Sequence, residues 1–282
     1  TNINACDSIF WNGNWYDSSG TYYSNTASNN NYSMNFDGIN DYIEIFDNPN
    51  LNLDSTSYTI AAWVKINCFG CSSEYQQSVF SKRNTFSNNQ GYHLVYNEPS
   101  DRFVYQVSGG GDPLIHTNSG TFNSYDWNYI VASYNIITNT TSIYENGVLH
   151  SSSTLLNNIN ATSSNLLFGK TNPAVSVDYY LNGYLDDIQI WNTALSQIEI
   201  QNYMNCSPAA NSEGLVGYWN FEEGSGNTAF DQTSYGNNGT INGAIFDTNV
   251  PVQSCQLTTL NGCDSIAVLN LIINNSSIST VT

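Results

Sequence analysis

Carboxylates dominate the side chains of this sequence that could do chemistry: 23 Asp and Glu stand beside 5 Lys and Arg and 3 His. Five aspartates lie in Asn- and Gly-rich stretches: Asp37 and Asp41 in Phe36-Asp37-Gly38-Ile39-Asn40-Asp41-Tyr42, the pair Asp186-Asp187, and Asp231 in Asp231-Gln232-Thr233-Ser234-Tyr235-Gly236. Hard divalent cations collect carboxylate and carbonyl oxygens from irregular loops. Calcium is therefore the expected cofactor, with Asp37, Asp186 and Asp231 as its ligands. The rival reading is that these aspartates cap turns and accept backbone amides, and for Asp41 and Asp187 it is the better one.

A second chemistry needs aromatic faces against sugar C–H surfaces, with Asn, Asp or His fixing hydroxyls. Tyr92, His93, Tyr96, Tyr105, His116, Tyr125, Tyr179 and Tyr180 form the pool. Side chains alternate along a strand, so Tyr92, Leu94 and Tyr96 share one face and His93 and Val95 the other. We expect Tyr96 and Tyr105 on a concave sheet, with His116, Asp178 and Tyr179 on loops at its rim. Trp63, Trp127 and Trp191 lie within strand patterns and are expected in the core.

Catalysis finds little support. Glycoside hydrolysis needs two carboxyl groups flanking the bond, and the adjacent Glu222 and Glu223 would point to opposite faces of an extended chain. Neither a Gly-x-Ser-x-Gly nor a His-Glu-x-x-His motif occurs. A net charge of −18 argues against nucleic acid, because phosphates are neutralised by clustered Lys and Arg. It equally disfavours sulfated or uronic polymers and anionic membranes, and leaves divalent cations and neutral glycans as natural partners.

These residues require strands to position them. With 20 Tyr, 12 Phe and 6 Trp among abundant Asn, Ser and Thr, the 282-residue chain has the vocabulary of strands and turns. Period-2 alternation recurs in Tyr42–Ile45, Tyr58–Val64, Tyr92–Tyr96, Phe103–Val107, Tyr129–Tyr134, Ser142–Tyr144 and Ile188–Trp191. Asn146-Gly147 is a tight-turn signal, and many short strands at such spacing predict a sandwich or barrel. One helix is expected at about residues 197–204, opened by the capping box Ser196-Gln197-Ile198-Glu199. No apolar run approaches the roughly 20 residues of a membrane span. Since Thr1 does not begin a signal peptide, a mature or excised fragment is expected. The six cysteines fit an oxidising compartment.

Five ordered motifs across about residues 32–205 carry a family resemblance. They are Asn35-Phe36-Asp37-Gly38-Ile39-Asn40-Asp41-Tyr42, Tyr58-Thr59-Ile60-Ala61-Ala62-Trp63-Val64-Lys65, Trp127-Asn128-Tyr129-Ile130-Val131-Ala132-Ser133-Tyr134, Ile143-Tyr144-Glu145-Asn146-Gly147, and the run from Asn182 through Gly183-Tyr184-Leu185-Asp186-Asp187-Ile188-Gln189-Ile190-Trp191 to Ser196. Together they resemble the laminin-G-like, concanavalin A-like lectin/glucanase superfamily. That resemblance implies an all-β jelly-roll sandwich. It also implies a cation tying the first and last strands together, with Asp186 at the matching aspartate position. The Glu-x-Asp-x-x-Glu pattern of related glucanases is missing, so a non-catalytic module is expected.

Gly214-Leu215-Val216-Gly217-Tyr218-Trp219-Asn220-Phe221-Glu222-Glu223-Gly224 resembles the segment that normally opens such a domain, yet here it comes last. Either a second domain begins and is cut short, or the opening strands, about 215–246, complete the same sandwich as a circular permutation. Permutation is favoured, because too few residues remain beyond Pro251 for a second sandwich. Cys6-Asp7-Ser8-Ile9-Phe10-Trp11 and Gly262-Cys263-Asp264-Ser265-Ile266-Ala267 resemble the front and back of a short β-repeat of bacterial surface and secreted proteins.

The expected organisation is therefore a split repeat at 1–28 and 251–282 enclosing a sandwich at 29–250. In that architecture Cys6 would staple to Cys263 and Cys206 to Cys255, while Cys68 and Cys71 would close a small loop. Zinc binding is the rival reading of that last pair, without a second Cys or His pair at ligand spacing. The functional expectation is a secreted or cell-surface carbohydrate-binding or adhesive module of a multidomain protein, its partner a glycan or a cell-surface protein. A structural or protein-binding spacer is the alternative.

Overall fold

The computed structural model describes residues 30–67, 76–84, 91–107, 115–120, 123, 125–154, 160–171 and 179–253, together with the backbone of strands in both terminal segments. Two compact units emerge: Thr1–Ser28 with Ser254–Thr282, and Asn29–Gln253. In the smaller unit the chain ends meet in one three-stranded sheet. Asn2–Cys6 runs parallel to Val268–Asn274, which pairs antiparallel with Gly20–Tyr23 on its other edge.

The larger unit is a sandwich of two sheets. In chain order its strands are β1 (Ser33–Asp37), β2 (Tyr42–Ile45), β3 (Tyr58–Ile66), β4 (Gln76–Arg83), β5 (Gly91–Asn97) and β6 (Arg102–Val107). There follow β7 (Ile115–His116), β8 (Asn128–Asn135), β9 (Thr140–Glu145), β10 (Val148–Thr154) and β11 (Leu166–Phe168). The last are β12 (Asn182–Trp191), β13 (Leu215–Trp219), β14 (Thr228–Ala229), β15 (Gly239–Asn242) and β16 (Ile245–Asp247). One sheet has the order β10-β9-β8-β3-β12-β1-β16, with β13 also pairing to β12; the other has the order β7-β6-β5-β4-β11-β2-β15-β14. Both are antiparallel throughout.

The late segment pairs into the same two sheets as the earlier strands. β13 lies beside β12, β15 beside β2 and β16 beside β1, so the late segment completes both sheets of the one sandwich. Trp219, fully buried, meets the Phe168 ring edge-on at 5.1 Å between the sheets.

Strand β3 explains why the pattern of Tyr58–Ile66 is apolar on both faces. Its inner residues Tyr58, Ile60, Ala62, Val64 and Ile66 enter the main core. Ala61 and Trp63 point outward into a second cluster with Tyr129, Trp191, Leu195 and Ile200. That outer cluster lies beneath helix α1 (Gln197–Asn205), whose capping box is present: the Ser196 hydroxyl accepts from the Glu199 amide and the Glu199 carboxylate accepts from the Ser196 amide. Burying each large apolar side chain contributes about 1.5–3 kcal/mol. At Gly183 the β12 backbone passes so close to β3 that a methyl group would lie 2.2 Å from the Lys65 carbonyl oxygen.

Lys82 is buried near the end of β4. Lys82 donates from Nζ to Asp47 Oδ1 at 2.6 Å and to the carbonyls of Ser164 at 2.7 Å and Thr162 at 3.1 Å. Among the described residues no helix is long and apolar enough to cross a membrane.

Candidate functional site

The late segment also builds the cleft. After β13 the chain must turn back toward β14, and Phe221 does this in left-handed backbone, φ +55°, while its ring is buried in the core. The Asn220 side chain assists by accepting from the Glu222 amide at 3.5 Å. With that turn, Glu222 and Glu223 do not alternate as in a strand; both line one cleft.

Asp231 forms the opposite wall indirectly. Buried, it accepts from the amides of Tyr218 (3.0 Å), Thr233 (2.9 Å) and Asn237 (2.9 Å) and from the Thr233 hydroxyl. A carboxylate holding that many donors fixes the loop around it. Its two neighbours, Phe230 and Gln232, line the cleft instead. The cleft holds about 310 Å³ and is walled by Asn220, Glu222, Glu223, Phe230 and Gln232. Phe230 leaves 49% of its surface open to solvent.

The two glutamates are bound differently. Glu222 uses Oε1 for the amides of Asn31 (2.8 Å) and Tyr32 (3.1 Å) and Oε2 for the Asn31 side chain (2.8 Å), which clamps the start of the sandwich onto its late segment. Glu223 accepts the Phe230 amide on Oε1 at 3.0 Å, whereas Oε2 is buried and accepts no hydrogen bond among the described residues. Burial pushes the Glu223 carboxyl above the usual carboxylate range, and the Glu222 charge adds to that, against the lowering effect of the Phe230 amide.

A second acidic centre is formed by the buried pair Asp186 and Asp187. A bulge opposite β3 falls between Asp186 and Gln189, and Asp187 adopts φ +45°. Asp187 accepts from the Tyr218 hydroxyl at 2.6 Å, the Ser207 hydroxyl at 3.2 Å and the Gln253 amide group. Asp186 accepts from the Asn30 side chain and from the Asp187 amide, both at 2.8 Å. Burial raises both carboxyls, the Asp187 charge adds to the rise at Asp186 and the Glu222 charge adds least, against the lowering effect of the hydrogen bonds that both accept.

The expected calcium ligands are not assembled into a cage. Asp37 accepts the amides of Ile39 at 2.8 Å and Asn40 at 3.3 Å, which is turn capping, and Asp41 accepts the Asp37 amide at 3.0 Å. Asp231 is occupied by its own loop and Asp186 by Asn30 and Asp187. Among the described residues no group of three carboxylate, His or Cys side chains is placed to hold a metal.

The expected sugar platform is corrected as well. Tyr96 and Tyr105 do share the inward face, but that face is the core: Tyr96 packs its ring 5.4 Å from Phe103 and donates to Asp101, and Tyr105 donates to the Tyr58 hydroxyl at 2.9 Å. Alternation gave the right parity and left open which parity faces solvent. His116 lies half-buried on edge strand β7, with Nδ1 3.0 Å from the Thr117 carbonyl, and Tyr179 is half-buried with its amide on Thr171 Oγ1. Neither lines the cleft, and Asp178 falls outside the described residues. Cys206 caps α1 and is disulfide-bonded. Its partner, like Cys68, Cys71, Cys255, Cys263 and the side chain of Cys6, lies outside the described residues.

Residues 36–201 match the family model of the concanavalin A-like lectin/glucanases superfamily. The chain belongs to that superfamily. Among solved structures, this superfamily member resembles a candidate carbohydrate-binding protein from Bacteroides ovatus at 19% identity and a TM-score of 0.61, over 79% of this chain and 61% of that one. The chain thus spans less than two thirds of that protein's length. It also resembles a native heptameric SAP-like pentraxin from Limulus polyphemus at 13% identity and a TM-score of 0.54, over 78% of this chain and 95% of that one. At such identities the likeness is one of fold. No curated protein sequence matches the chain. The cleft lies beyond residue 201, outside the span matched by the family model.

Proposed function

We propose that this superfamily member is a non-catalytic carbohydrate-binding module and that the cleft beside Phe230 is its glycan site. One observation carries the reading: a half-exposed aromatic ring stands in a cleft otherwise walled by side-chain amides and carboxylates. A sugar presents a C–H face that packs on such a ring and a rim of hydroxyls that pair with Asn, Gln and Glu. The likeness of fold to a candidate carbohydrate-binding protein supports it. Against catalysis stands the clamping of Glu222, whose two oxygens are engaged by Asn31 and Tyr32, leaving Glu223 without the second free carboxyl that glycoside hydrolysis uses. An even cysteine count favours an exported protein.

A glycan array, run with calcium and again with chelator, tests the reading on wild type and Phe230→Ala. Binding that Phe230→Ala removes without changing thermal stability is the expected result. A blank array under both conditions sinks the lectin reading and leaves the spacer.

A further inference from the structure

We infer that His150 is an acid-operated clasp between the edge strands of the two sheets, holding Asn118 while neutral and letting it go once protonated. β10 and β7 are edge strands of their sheets, and on this side of the sandwich His150 reaches from β10 to the segment that follows β7. Register sets its place in the strand. Ile143 of β9 faces Ser151 and Tyr144 faces Leu149, which leaves His150 as the extra residue of a bulge. Such a bulge re-aims a side chain and blunts an edge against pairing with other chains.

The two ring nitrogens have different partners. Nδ1 lies 3.0 Å from the Asn118 backbone nitrogen. A backbone N–H only donates, so Nδ1 must present its lone pair. The proton of the neutral ring is then on Nε2, 3.3 Å from Oε2 of the buried Glu145, which accepts it. Protonation puts a second N–H on the ring, at Nδ1, facing the N–H of Asn118, and the bond between them is lost. The contacts on either side of Asn118 do not titrate. The Thr117 amide donates to the Phe103 carbonyl at 3.0 Å and the Gly120 amide to the Asp101 carbonyl at 3.3 Å. Acid therefore parts Asn118 from β10 while Thr117 and Gly120 stay on the β6 side.

Burial disfavours the imidazolium and draws the His150 pKa below the ordinary imidazole value. In the surrounding elements, the groups that change charge in acid are Glu145 on β9, His116 on β7 and, behind the held segment, Asp101. With the native value depressed, the stability contributed by the clasp is full above the unfolded-state value and is lost as pH falls through the native one.

NMR of the whole chain, wild type and His150→Gln, followed from neutral pH down through the titration of the His150 ring, tests this. Gln is the non-titrating counterpart, with Oε1 to accept from Asn118 and Nε2 to donate to Glu145. In wild type the imidazole nitrogen shifts should place the neutral proton on Nε2. Protection of the Asn118 amide against hydrogen exchange should fall about five-fold, the scale of one hydrogen bond, with the midpoint of the His150 titration. Thr117 should keep its protection, and His150→Gln should keep both amides protected throughout. A neutral proton on Nδ1 overturns the inference. So does Asn118 protection that ignores the His150 titration, or that falls alike in His150→Gln. Joint loss of protection at Asn118 and Thr117 also overturns it, because that is general opening in acid rather than the release of one clasp.

Discussion

The Tyr218 hydroxyl donates to Asp187 Oδ1 at 2.6 Å, joining the late strand β13 to the bulge of β12 through a carboxylate in left-handed backbone. Tyr218→Phe removes a buried donor to this carboxylate and is expected to cost about 1.5–3 kcal/mol, read from urea midpoints. The site also sets a pH dependence. Burial raises Asp186 and Asp187, so the folded chain keeps a proton that the unfolded chain has released. Stability contributed here is then full in acid and falls as pH rises from the ordinary carboxylate range through the raised native values. Asp186→Asn should flatten that slope above the ordinary carboxylate range. An unchanged slope would place the titration elsewhere.

Trp219 tests whether the late strands belong to the core. Its ring is fully buried against Phe168. Trp219→Ala should cost about 3–5 kcal/mol in chemical denaturation. Removing residues 213–250 should abolish the cooperative transition altogether, and a stable truncate would contradict the strand pairing described above.

Lys82 keeps its amine among Asp47 and two carbonyls, and burial pulls its pKa down against the raising effect of Asp47. Lys82→Met strands those acceptors. Because Asp47 remains 30% open to solvent, the expected loss is about 1–3 kcal/mol rather than the larger cost of splitting a fully buried pair. Thermal melting of the variant beside wild type measures it.

Tyr96 separates core from site. Tyr96→Ala should lower stability by about 3–5 kcal/mol and leave glycan affinity of the folded fraction unchanged. Phe230→Ala should do the reverse. A Tyr96 variant that folds normally and loses binding would restore the tyrosine platform and remove the cleft from consideration.

Most of the fold was legible because it is written locally. Period-2 alternation marked the strands, Asn146-Gly147 marked a turn whose two residues do take positive φ, and Ser196 with Glu199 marked the helix start. Alternation could not say which face of Tyr92–Tyr96 is inside, since that depends on the partner sheet. The cleft was illegible for a related reason. Glu222 and Glu223 look opposed in an extended chain, but they sit in a turn between the left-handed Phe221 and Gly224 and both line the cleft. Asp231 read as a metal ligand because carboxylates that gather amides and carboxylates that gather cations share a sequence signature. The available hint was Asp231-x-Thr233, whose hydroxyl and amide both donate to the aspartate.

Placing β15 beside β2 pairs Gly239 with Ile45, strands separated by roughly two hundred residues of chain. On a ribosome, β1 and β2 would emerge early, wait with both edges unpaired until β11 and β12 are made, and keep one edge unpaired until the last quarter of the sandwich follows. An unpaired apolar edge is a template for association with other chains. Vectorial synthesis therefore favours a chain kept apart from its copies until β15 and β16 are made.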